Sequence, residues 1–174
     1  MKPIFLVPGI IAVALTAACS SNSEHVEKLR AALDEAELSL ADSVGVAEVE
    51  TAGGIGIQAK LLVDSDPVFS VGALASDAFQ NVRVDVVTGE VLSMQAASQS
   101  ADACPGAVSL SEAIAAAEAE VGGEAVAIEP DDDGQCMREV KVLADDTVWE
   151  VKVASDGGIV EVEEDDDIDG EGDD

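Results

Sequence analysis

Little in this chain is equipped for covalent chemistry. The acidic residues come closest to forming a site. Asp131-Asp132-Asp133, beside Glu129, gathers carboxylate oxygens of the kind that hold hard cations. Asp165, Asp167, Asp169 and Gly170 match the first half of a D-x-D-x-D-G calcium loop, but the chain stops before the twelfth position, where that loop takes its bidentate glutamate. Both groups read first as solvated acidic segments, one a hairpin tip and one a tail, and only second as cation sites. The only histidine, His25, stands between Glu24 and Val26, with no nucleophile at triad-like spacing, and reads as a solvent-facing residue. There is no C-x-x-C, no H-x-x-x-H and no phosphate-cradling glycine loop. Gly53-Gly54 and Gly122-Gly123 follow helical patterns, so they read as caps. No catalytic residues and no cofactor are expected.

The cysteines carry a different kind of information. Lys2 precedes an apolar run, Ile4 to Leu15, which is too short to span a bilayer core of about 30 Å and fits an export signal. Leu15-Thr16-Ala17-Ala18-Cys19 resembles the lipobox of bacterial lipoproteins, with Thr16 where that pattern usually has leucine. The resemblance implies cleavage after residue 18 and lipid attachment to Cys19; ordinary signal cleavage would leave a free thiol instead. If Cys19 carries lipid, Cys104 and Cys136 remain as one pair in a compartment where disulfides persist, the alternative being two thiols. Ser20 is not the aspartate that retains lipoproteins at an inner membrane, so by the same resemblance the outer membrane is favoured where a host has one.

Charge narrows the partners. Thirty-seven acidic residues face eight lysines and arginines, a formal net charge of −29. That balance disfavours nucleic acid and anionic lipid, whose binding needs clustered cations, and leaves membrane contact to the lipid anchor. It equally fits a protein adapted to salty surroundings. With three phenylalanines, one tryptophan and no tyrosine, the core must be built from Val, Ile, Leu and Ala.

The elements that position these residues occur twice. Ser39-Leu40-Ala41-Asp42-Ser43-Val44, with Ala47-Glu48 and Gly53-Gly54, returns as Ser109-Leu110-Ser111-Glu112-Ala113-Ile114, with Ala117-Glu118 and Gly122-Gly123. Ser109 to Glu112 is an S-x-x-E capping box, and Leu110, Ala113, Ile114, Ala117 and Val121 then share one helical face. Short strands follow, at Ala125–Ile128, Cys136–Leu143, Val148–Ala154 and Ile159–Val162, separated by turns such as Asp156-Gly157-Gly158. The first copy has the same order, with Gln80 in place of Trp149, and is expected to have the looser core. Trp149 itself reads as a core residue first and a partner anchor second.

Val148-Trp149-Glu150-Val151-Lys152-Val153, followed by Asp156-Gly157-Gly158-Ile159-Val160-Glu161-Val162, resembles the closing hairpin of a PepSY domain. Val82 to Leu92 resembles it more weakly, and Leu110 to Ala117 resembles the family's lead helix. The resemblance implies an α+β fold of two tandem repeats, each one helix packed on a small antiparallel sheet of three to four strands. The expected organisation is a signal peptide (1–18), a stalk or lead-in helix (19–38), a first PepSY-like domain (39–94), a linker (95–108), a second such domain (109–162) and a disordered acidic tail (163–174). It further implies a non-enzymatic cell-envelope lipoprotein that binds another protein, with an extracytoplasmic protease as the partner to be inhibited or regulated. An acidic cation-binding or salt-adapted surface protein is the alternative. Cys104, Cys136, Trp149 and the heavier negative charge all belong to the second copy, which is expected to be the working one.

Overall fold

The structure, a computed structural model, describes residues 21–76, 78–97, 104, 106–131 and 136–165. Within them the order is α1 (Ser21–Glu35), α2 (Leu40–Glu50), β1 (Ile55–Leu62), β2 (Val68–Ala75), β3 (Ala78–Asp85), β4 (Val91–Ala97), α3 (Leu110–Val121), β5 (Glu124–Pro130), β6 (Arg138–Ala144), β7 (Thr147–Val153) and β8 (Ile159–Glu164). The strands form one eight-stranded sheet in the order β4-β3-β2-β1-β5-β6-β7-β8, every neighbouring pair antiparallel.

This overturns the expected pair of modules with separate small sheets. Helices α2 and α3 are each followed by a four-stranded meander, but the meanders fuse where β1 pairs with β5, through Ala59↔Ile128 and Lys60↔Ala127. The physical reason is the edge. A free-standing meander would leave its first strand with a row of unpaired backbone groups, and joining the two first strands removes both edges at once. The interior is accordingly one cluster. It runs from Val26, Leu29 and Ala32 through Leu40, Val44, Val71 and Val82 to Ile114, Val140 and Val151.

Helix α3 starts where the capping pattern puts it, and α2 starts at the matching serine of the first copy. Ser39 and Asp42 form a complete capping box at α2, and Ser109 and Glu112 one at α3, the N-cap hydroxyl accepting from the N3 amide in each. The Ser109 amide and hydroxyl hydrogen-bond to the Glu112 carboxylate and hold its pKa below the usual range. Gly122 closes α3 in the left-handed conformation at φ 80°, which glycine adopts without steric cost. The β6–β7 hairpin turns on Asp145 and Asp146, both at positive φ, as a two-residue turn matched to strand twist requires.

The two copies differ in where they place bulk. Phe69, fully buried on β2, sits in register with Leu61 and Val84; the matching position on β6 is Arg138, between Pro130 and Val153. The first half therefore has the aromatic core residue. Trp149, aligned with Val142, is only half-buried. On the other face of the first half Phe79 lies directly over Gly72, where a Cβ would collide with its ring. Helix α1 packs into the common core rather than projecting as a stalk, and the amides of Glu37 and Leu38 tie its far end to the Val86 carbonyl.

Candidate functional site: the open face of the sheet

Helices α2 and α3 cover one face of the sheet. Gly56 shows the fit: a Cβ there would meet Val44 of α2 and Leu110 of α3 at 3.0 and 3.1 Å. The repeated glutamates explain part of the duplication. Glu48 accepts a hydrogen bond from the Gly56 amide at 3.0 Å, and Glu118 one from the Ala125 amide at 2.9 Å. Each closes its helix onto a strand where the register slips, at Gly56/Gln58 and at Ala125/Ala127.

The opposite face is polar, and strand pairing arranges its side chains in rows. One row runs Ser93–Arg83–Ser70–Lys60–Ala127–Lys141–Glu150–Glu163 across all eight strands. Its first half is neutral and basic, and its second half, beyond Ala127, carries Lys141 and the two acids Glu150 and Glu163. A shorter row, Glu129–Glu139–Lys152–Glu161, crosses β5 to β8 alongside it. Lys152 lies 3.3 Å from Glu161 and 3.7 Å from Glu150, and Lys141 donates to Asp165 at 2.7 Å. Burial pulls Lys141 down, but the hydrogen bond and charge of Asp165, with Glu139 and Glu129 nearby, leave its pKa above the ordinary lysine value.

Glu139 is the most perturbed group on this face. Burial, then the charges of Glu150 and Glu129, push its carboxyl up to about 7. Its folded pKa lies above the ordinary 4.5, so the folded state binds the extra proton and stability falls as pH rises from about 4.5 to about 7. Discounted for partial exposure, the effect is about 1 kcal/mol. Glu139→Gln is expected to raise stability by that amount at pH 8 and by almost nothing at pH 4, read from urea midpoints at the two pH values. Equal changes at both would remove the assignment.

The sequence-predicted residues fall as follows. Cys104 and Cys136 are joined in a disulfide with a Cα–Cα distance of 5.6 Å. Asp131 ends the β5 side of its hairpin, its amide bonded to the Met137 carbonyl, while Asp132 and Asp133 lie outside the described residues. Asp165 is not in a solvated tail. Strand β8 runs through Glu163 to Glu164, the Asp165 amide donates to the Val148 carbonyl, and its buried carboxylate is committed to Lys141. Cys19, Asp167 and Asp169 lie outside the described residues. Among the described residues no three His, Cys, Asp or Glu side chains are placed to hold a metal. His25 is half-buried on α1. No described helix is long and apolar enough to cross a membrane.

The Lys141–Asp165 pair was missed from sequence because an acidic block predicts solvation. The available signal was period-2 alternation, which places Lys141 on the polar face, together with Val160 and Val162, which extend the strand toward Asp165.

Residues 107–169 match the family model described as "Peptidase propeptide and YPEB domain", the PepSY family. The chain therefore carries one PepSY domain, comprising α3 and β5 to β8, while residues 39–94 lie outside the match. No curated protein matches the chain. A crystal structure of a candidate lipoprotein from Clostridium difficile 630 is similar in outline, at 15% identity and TM-score 0.47, with 75% of this chain and 95% of that one covered.

Proposed function

We propose that this is an exported, non-enzymatic envelope lipoprotein that binds another protein through its PepSY half and restrains an extracytoplasmic protease. The PepSY match over 107–169 carries the reading, since that family is described by its occurrence in peptidase propeptides. Three further features support it. The apolar Ile4 to Leu15 segment leads into Cys19 as the lipid attachment point, with Ser20 favouring an outer membrane where the host has one. The charged face of β5 to β8 is a preformed polar surface, its lysines already held by Asp165, Glu150 and Glu161. The Cys104–Cys136 bond suits an oxidising compartment. Residues 39–94 serve as the second half of the same sheet, a scaffold that removes the β5 edge.

The test is enzymatic. The purified protein, added at micromolar concentration to a thermolysin-type protease, is expected to slow cleavage of a chromogenic peptide in a dose-dependent way. An unchanged rate across that range would remove the protease reading.

A further inference from the structure

The two outer edges of the sheet are built differently. The β8 edge carries Glu161, Glu163 and Glu164, charges that discourage another strand from adding. The β4 edge, Val91-Leu92-Ser93-Met94-Gln95-Ala96-Ala97, has no charged residue and no proline, and Leu92 and Met94 are more than half exposed. Among the described residues no strand pairs with this edge, and its seven residues, about 24 Å of backbone at 3.4 Å each, are a ready template for a further antiparallel strand. Against this edge the polar face forms a cavity of about 330 Å³ lined by Asn81, Arg83, Ser93, Gln95, Ala96 and Ala97.

Charge selects the occupant. In a chain of net charge −29, Arg83 and Lys60 are exposed in one row, and among the described residues neither has an ion-pair partner. Asp85, the nearest acid on β3, is turned into the β3–β4 turn, accepting from the amides of Val87 and Thr88 and from the Thr88 hydroxyl. The first acidic member of the row, Glu150, is five strands from Arg83, about 24 Å at 4.8 Å per strand. That is well beyond the screening length of about 8 Å at physiological salt, so within this row no carboxylate offsets Arg83 and Lys60. A second copy is disfavoured by the net charge it would bring.

We propose that the β4 edge takes an extended segment of a partner protein as a ninth strand, with an aspartate or glutamate side chain of that segment held by Arg83 in the adjoining cavity. The inference rests on the reading of this chain as a binding protein. It uses β3 and β4, outside residues 107–169, so it can fail while protease restraint stands, and the reverse.

The probes are a labelled heptapeptide alternating valine with glutamate and its glutamine counterpart, each titrated by fluorescence anisotropy against the full chain. The glutamate peptide is expected to bind about tenfold more tightly, the scale of one charge-assisted hydrogen bond. Arg83→Gln is expected to erase that difference, and Met94→Asp, a charge on the open edge, to weaken both peptides. Hydrogen exchange is expected to slow at residues 91–97 when peptide is bound. Several results would overturn the proposal: no binding at millimolar peptide, equal affinities for the two peptides, or protection at β8 instead. Self-association of the unliganded protein that Met94→Asp abolishes would assign the edge to a second copy and overturn it too. Both substituted side chains are exposed, and far-ultraviolet circular dichroism of each variant checks that it is folded.

Discussion

Phe69→Ala is expected to lower stability by about 3–5 kcal/mol, the cost of emptying a fully buried aromatic site. It should do so in a single transition visible from the far half of the molecule. Phe69 lies between Leu61 and Val84 in the layer under α2, whereas Trp149, the only tryptophan, reports from β7. The halves are coupled at several points. β1 pairs with β5, Leu110 of α3 approaches Gly56 of β1, and the Ser111 hydroxyl donates to the Ala41 carbonyl at 3.4 Å. One continuous core has no internal boundary at which unfolding could stop. Against a typical total of 5–15 kcal/mol the loss is a large fraction, and a midpoint fall of roughly 10 °C follows for a chain of this size. Circular dichroism and Trp149 fluorescence should give the same lowered midpoint. A wild-type midpoint for Trp149 alongside an early loss of circular dichroism would mean that the halves unfold independently, and the single-sheet description would fail.

The join responsible for that coupling is also what sequence reasoning could not reach. Helix starts were readable because Ser39/Asp42 and Ser109/Glu112 satisfy orphan amides locally, within four residues. The β7–β8 hairpin was readable from Asp156-Gly157-Gly158, where turn geometry restricts residue type. The β1–β5 contact has no comparable signature. Alternation in Gln58-Ala59-Lys60 says which face each residue occupies but not which strand lies beside it, and only two residue pairs define the contact. The distribution of core bulk is set at another aligned position: Gln80 against Trp149 favours the second half, but Phe69, fully buried where the second half has Arg138, gives the first half the aromatic core residue. The polar face was legible as a face, through Glu139, Lys141, Glu150 and Lys152. Its energetics were not, because the raised pKa of Glu139 depends on Glu129 and Glu150 from two other strands.

Replacing both Cys104 and Cys136 with serine is expected to cost about 3–4 kcal/mol. The bond spans 32 residues of sequence, and closing a loop of that length in the unfolded chain gives this figure in the chain-entropy treatment. The loop encloses α3 and β5, the helix and strand through which the second half meets the first. Removing the bond therefore loosens the unfolded chain at the segment whose docking joins the two halves. If the molecule is one cooperative unit, the lost stability must appear at every probe. The double-serine protein should show a lowered urea midpoint of the same size in amide exchange at β2 and in Trp149 fluorescence. Both cysteines are half-buried, so a reductant should reach the bond without global unfolding and reproduce the substitution in the native protein. Coincident midpoints for the native and double-serine proteins would exclude a stabilising bond. A shift confined to β5–β8 would exclude the cooperativity instead, so one pair of measurements tests the staple and the fused sheet separately.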